Sequence, residues 1–139
     1  MKSILVDTGV IVALLDRSER HHQRCVEAVD DIAAPLVTCE PVIAEACYLL
    51  RSLPDAQQAI LVNVERGVFQ IPFRLDTETA AVRALLKKYR KPPMDLADAC
   101  LVCLATRLDT GKILTLDSDF SFFRWGKNRP FENLVDLSR

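Results

Sequence analysis

The chain has 139 residues, half of them apolar, and 18 Lys or Arg against 19 Asp or Glu, for a net charge of −1. This length suits one ordinary domain with a real hydrophobic core, and the composition excludes a disordered chain. No apolar run approaches a membrane span, and because Asp7 and Asp16 interrupt the early apolar stretch, no secretory signal is expected. Five cysteines, an odd number without an export signal, favour reduced thiols in the cytoplasm. The balanced total conceals an asymmetry. Residues 1–82 carry seven basic and twelve acidic side chains, and residues 83–139 carry eleven and seven. Such halves attract cations and phosphates respectively, which suggests nucleic acid, although a solvated helix face gives the same pattern.

Ser3 to Val6 reads as a buried strand, followed by a turn at Asp7-Thr8-Gly9 and a short helix from Val10 to Leu15. A second helix is expected from Ser18-Glu19 to Asp30 or Ala33, then a brief strand at Leu36-Val37. Thr38 can cap the next helix, where Pro41 is tolerated because the first turn lacks backbone partners; that helix runs to about Arg51. Pro54-Asp55 opens another, ending near Gly67. Val68 to Pro72 reads as a strand, Asp76 to Arg90 as a helix, and Lys91-Pro92-Pro93 as a break. A helix from Asp95 to about Leu108, a strand from Lys112 to Leu116 and a last strand from Phe131 to Val135 complete the chain. Short apolar strands alternating with helices imply a parallel sheet covered on both faces, with its ligand crevice at the carboxyl ends of the strands. Asp7 and Asp117 occupy that position. Residues 1–139 show no repeat or linker and read as a single domain.

Four acids stand in apolar settings with no neighbouring Lys or Arg: Asp7, Glu45, Asp98 and Asp117. A carboxylate in such a place is costly unless something positive compensates it, and a divalent cation is the simplest compensation. Each has a plainer reading. Asp7 can be a helix cap. Glu45, spaced with Val42 and Leu49 on a core-facing stripe, can reach the surface by its long stem or pair with Arg51. Asp95 and Asp98 resemble a capping box, with one of them free to face the crevice, where a helix N-terminus favours an ionised carboxylate. Asp117 and Asp119 flank Ser118 in a strand-to-turn corner. The joint pattern of four outweighs these separate readings.

Other chemistries lack support. Asp-Thr-Gly also occurs in aspartic proteases, but those are all-β folds, and a haloacid-dehalogenase-type phosphatase needs an Asp where Gly9 stands. Cys100 and Cys103 form a CxxC within an apolar helix and without a second pair, so they read as core rather than as zinc ligands. His21 and His22 read as surface residues, which leaves little for a Ser-His-Asp or Cys-His mechanism. No phosphate-binding glycine loop is present. Two segments can touch a polyanion. Arg83, Lys87, Lys88, Arg90 and Lys91 precede the Asp98 helix, while Phe120, Phe122, Phe123, Arg124, Trp125, Lys127 and Arg129 interleave aromatics with bases after Asp117. Stacking plus charge holds single strands without reading sequence. Most of the phenylalanines suit packing, and Trp125 is expected to be exposed.

Taken together, Ile4-Leu5-Val6-Asp7-Thr8-Gly9, Thr38 to Leu50 with Glu45, Met94-Asp95-Leu96-Ala97-Asp98-Ala99 and Ile113 to Phe120 resemble a PIN-domain ribonuclease, specifically the VapC-like toxins of type II toxin–antitoxin pairs. The resemblance runs from the first strand to about Arg124, with all four motifs in order. It implies a three-layer α/β/α sandwich with a short, mainly parallel central sheet and an acidic pocket for Mg²⁺ or Mn²⁺. By motif, Asp7, Glu45, Asp98 and Asp117 become the metal-site residues, with Asp119 a fifth, and Thr8 matches the small polar position beside the first acid. Asp95 stays open as cap or outer ligand. The resemblance also implies a homodimer and a small antitoxin wrapping the groove near the active site. RNA contact is expected at Arg83, Lys87, Lys88, Arg124, Trp125 and Lys127.

Clustered carboxylates raise one another's pKa, and a metal that keeps several waters can acidify one to attack a phosphodiester. Two rivals remain. A receiver-like phosphoacceptor domain needs paired acids after the first strand and a late lysine, and neither is present. A PIN-like protein that binds RNA or a partner without cutting it is opposed by the intact acids.

Overall fold

The computed structural model describes residues 2–138 and realises the expected α/β sandwich. Its main sheet is built from β1 (Ile4–Val6), β2 (Leu36–Val37), β3 (Phe69–Gln70), β4 (Lys112–Leu114) and β7 (Glu132–Asn133), in the order β3-β2-β1-β4-β7. All four pairings are parallel, with Leu5 in register with both Val37 and Ile113. Helices α1 (Thr8–Leu15), α2 (His22–Asp30), α3 (Glu40–Leu49), α4 (Pro54–Glu65), α5 (Leu75–Lys88) and α6 (Leu96–Leu108) make the connections. Helix α1 packs on α2, α3 and α4, while α5 pairs with α6. Right-handed crossovers place those two groups on opposite faces of the sheet.

With both faces covered, the strands become continuous apolar runs: Ile4, Leu5, Val6, Val37, Ile113 and Leu114 are all buried. Each large aliphatic side chain hidden this way contributes about 1.5–3 kcal/mol. Helix α6 crosses the same core, buried from Ala97 to Ala105. The CxxC is therefore packing, as its sequence setting implied. Burial pushes the Cys103 thiol up to about 12, and its Sγ donates to Glu78 3.4 Å away. No helix among the described residues is long and apolar enough to cross a membrane.

Three local expectations are corrected. Thr38 does not cap α3; Cys39 holds that position, and the Thr38 hydroxyl donates to the Val6 carbonyl at 2.9 Å, tying β2 to β1. Helix α2 begins at His22, later than expected. That residue is half-buried with Nδ1 2.7 Å from the Ala13 carbonyl, so it pins α2 to α1 and is not surface decoration. After Asp117 the chain makes a 3₁₀ turn (Ser118–Ser121) and an antiparallel hairpin, β5 (Arg124–Trp125) with β6 (Arg129–Pro130), that the sequence reading did not foresee.

Candidate active site

Parallel strands all end on one side, and the loops that leave them there meet. Asp7 directly follows β1 and caps α1, accepting from the Thr8 backbone N–H at 2.8 Å. Asp117 follows β4 and caps the 3₁₀ turn through the Asp119 N–H at 2.9 Å. Asp98 arrives from the first turn of α6, fixed by a capping box. The Asp95 carboxylate accepts from the Asp98 N–H at 2.8 Å, and Asp98 Oδ2 accepts from the Asp95 N–H at 3.3 Å. One carboxylate oxygen from each of Asp7, Asp98 and Asp117 lies within 4.8 Å of the others. They line a cavity of about 260 Å³ together with Thr8, Glu45 and Asp95.

The electrostatics of the cluster are set by burial and by repulsion between the acids. Burial raises Asp7 to about 6, against the hydrogen bonds from Thr115 and Thr8 that favour its charge, and Asp117 and Glu45 add repulsion. Burial raises Asp98 to about 8, and the Asp95 carboxylate is the next cause. Among the described residues, no Lys or Arg is a cause of the shift at either acid. Thr115, which the sequence reading passed over as an apolar-strand residue, links the cluster. Its hydroxyl donates to Asp7 Oδ2 at 2.8 Å and accepts from the Asp117 N–H at 3.0 Å. Asn133 on β7 in turn holds Thr115, accepting from its N–H at 3.2 Å and donating to its carbonyl at 3.0 Å. A threonine just before the acid was the available signal for the first; nothing in the sequence marked the second.

The remaining expected site residues separate. Glu45 is exposed, as is Leu49, because the buried stripe of α3 is Val42, Ala46 and Leu50; the core-facing placement was one residue out of phase. Glu45 still lines the cavity, with its pKa raised by partial burial and then by Asp95, while Arg51 lies over the Tyr48 ring. Asp119 is half-buried and does not line the cavity. Asp95 acts as a cap whose charge also bears on Asp98 and Glu45.

Trp125 is corrected from exposed to buried: it is 8 % exposed, and its indole N–H donates to the Pro130 carbonyl at 3.0 Å. Arg129 covers its ring, 5.1 Å from the centroid. The Gly126 N–H beside it bonds Thr106 near the end of α6, so β5 and the turn carrying Lys127 lie at the amino edge of the sheet, away from the acids. Arg124 turns one guanidinium nitrogen onto the carbonyls of Ser121, Phe122 and Phe123. Arg83, Lys87 and Lys88 are exposed on α5. Glu78, near the start of α5, bonds Cys103 and Arg107 late in α6. The two helices are therefore antiparallel, which brings the basic end of α5 to the acid-bearing edge.

The chain belongs to the PIN domain family, whose model matches residues 4–125. It is 33 % identical over 116 residues to Ribonuclease VapC26 of Mycobacterium tuberculosis, covering 82 % of this chain and 86 % of that protein. Its fold matches the crystal structure of VapC20 from the same organism, described as a sarcin–ricin loop cleaving toxin, with a TM-score of 0.79. That match covers 91 % of this chain and 99 % of the other at 21 % identity.

Proposed function

We propose that the acidic cavity is the catalytic centre of a metal-dependent endoribonuclease, and that the protein is the toxin of a toxin–antitoxin pair. The observation that carries this reading is the convergence of Asp7, Asp98 and Asp117, three carboxylates from distant parts of the chain, with raised pKa values at the first two and no Lys or Arg among the described residues acting on either. The donor set suits Mg²⁺ or Mn²⁺, which take oxygen ligands. The Thr8 hydroxyl on the cavity wall supports the fit: it is buried, makes no close hydrogen bond among the described residues, and lies near enough to the Glu45 carboxylate to favour its charge. When bound, such an ion supplies an acidified water and neutralises charge on the phosphate.

The residues divide the remaining work. Thr115 and the Thr8 N–H hold Asp7 in one orientation, and the capping box holds Asp98, so the ligand oxygens are preorganised. Glu45, exposed on the cavity rim, would accept a proton from the attacking water. The phosphorus–oxygen bond that breaks is an internal RNA phosphodiester, its backbone led along Arg83, Lys87 and Lys88. The partners of this reading are an RNA substrate, a cognate antitoxin and a second copy of the chain, in the cytoplasm. All five cysteines being free accords with a reducing compartment.

Purified protein incubated with RNA and either metal tests the reading. Cleavage that stops with EDTA and returns with Mg²⁺ or Mn²⁺ supports it. Metal-independent cleavage, or binding without cleavage by a folded protein, overturns it.

A further inference from the structure

Asp117 is a wall of two hollows. One is the acidic cavity; the other, of about 180 Å³, lies between the 3₁₀ turn and the segment from Phe131 to Leu137. Its apolar walls are Phe120, Phe131 and Leu137, and Ser118 and Ser121 supply hydroxyls. The Phe120 and Phe131 rings meet edge to face at 5.3 Å and 87°. Its floor is rigid: Asn133 bonds Thr115 in both directions and also accepts from the Val135 N–H at 3.1 Å.

We propose that this second hollow receives one nucleobase flanking the scissile phosphate, and so reads the RNA next to the cut. The inference rests on the ribonuclease reading of the neighbouring cavity. Three observations favour a base over another occupant. The space suits a single aromatic ring and is too small for a polypeptide strand or helix. Aromatic and aliphatic walls with a few polar groups are how unstacked bases are held. The hollow shares Asp117 with the acidic cavity where the phosphate would lie. The polar groups add a preference. Ser121 already donates its proton to the Ser118 carbonyl at 2.7 Å, so towards a ligand its oxygen can only accept. A base presenting an exocyclic amine to Ser121 is matched, whereas uracil there turns a carbonyl towards a lone pair; the Ser118 hydroxyl, able to donate or accept, favours neither.

The test uses short RNAs cut at one site, with each flanking position in turn carrying an amine-bearing base, uracil or an abasic residue, and kcat/KM as the readout. At one position the wild type is expected to prefer the amine-bearing base over uracil by about tenfold, with the abasic RNA at least as poor. Ser121→Ala should reduce the preference for the amine to under about twofold while the base still outperforms the abasic site. Leu137→Trp, at a partly exposed position, should fill the hollow and erase the difference between base and abasic RNA. Equal cleavage of all three substrates by the wild type overturns the inference and leaves the ribonuclease reading standing. So does a preference that survives Leu137→Trp. If light scattering shows that Leu137→Trp changes the oligomeric state and selectivity is untouched, the occupant is a second copy and the base reading falls. Absence of cleavage on every RNA with either metal overturns the ribonuclease reading, and this inference with it.

Discussion

At the amino edge of the sheet Asp109 sits between Lys2 at 3.0 Å and Arg129 at 3.2 Å, whereas at the carboxyl edge Asp7, Asp98 and Asp117 face one another. The hydrogen bond and charge of Lys2 hold Asp109 below the usual carboxylate range, while burial drives Asp7 and Asp98 above it. The amino edge also has the larger hollow, about 520 Å³ against 260 Å³. Size alone would have chosen the wrong end of the molecule. Where charge is balanced the protein is only holding itself together; where it is left unbalanced, something else is required to complete it.

The sharpest way to break this contrast is to neutralise the acids. Asp7→Asn, Asp98→Asn and Asp117→Asn should each lower kcat/KM for RNA by about 10³-fold, the loss of roughly 4 kcal/mol of transition-state stabilisation. Circular dichroism should show the fold retained. Glu45→Gln, on the rim, should cost about tenfold. Near wild-type cleavage by any two of the three aspartate variants would refute the site.

At the other edge the expected damage is to stability. A Cβ on Gly111 would run into the Trp125 indole, which its bond to Pro130 keeps from swinging aside. Gly111→Ala should therefore cost about 1–3 kcal/mol, seen as a melting point lower by roughly 5–10 °C, with the activity of the folded fraction intact. An unchanged melting point would show that the edge is looser than its packing indicates.

Metal-free stability should also tell the edges apart. Asp7 and Asp98 titrate near 6 and 8 in the folded protein, above their ordinary 3.8. Between pH 4 and 8 the folded state therefore keeps protons that the unfolded chain has released, and stability falls as pH rises through that window. Asp98→Asn keeps an oxygen to accept from the Asp95 N–H of the capping box and removes the titrating group. In EDTA it should melt several degrees above wild type at pH 8.5 and level with it at pH 4. A constant difference across that range would contradict the assignment.

The smallest effects concern RNA affinity. Lys87→Ala, at the acid-bearing end of α5, should flatten the salt dependence of RNA binding by about one counterion. Lys127→Ala, at the amino edge, should leave the slope unchanged. Fluorescence titration of a short RNA at several salt concentrations measures both, and equal slopes would erase the distinction drawn between the two edges.

Much of this architecture was legible because its signals are local. Strands such as Ile4–Val6 and Ile113–Leu114 are apolar runs, and an acid directly after the first and three residues after the second declares the carboxyl edge. The capping box of Asp95 and Asp98 was equally readable, being a pattern within four residues. What failed depended on where a segment goes in space. Glu45 was misplaced because α3 carries two overlapping apolar stripes, and packing against its neighbours selects Val42, Ala46 and Leu50. Trp125 follows Asp117 closely in sequence, yet β5 carries it along α6 to the opposite edge. No local composition reports such a turn. Thr115 escaped notice because a threonine in a buried strand looks like any β-branched residue until its hydroxyl finds two acids.

That single hydroxyl makes the nuclease a clock for its own folding. Residues up to Leu49 include β1, α1, α2, β2 and α3 and already contain Asp7 and Glu45. Cutting still waits for β4 to slot beside β1, a contact between residues more than a hundred positions apart. Pairings of that separation in sequence form slowly because a long loop must first be closed. During refolding, helical signal should therefore return ahead of enzymatic activity.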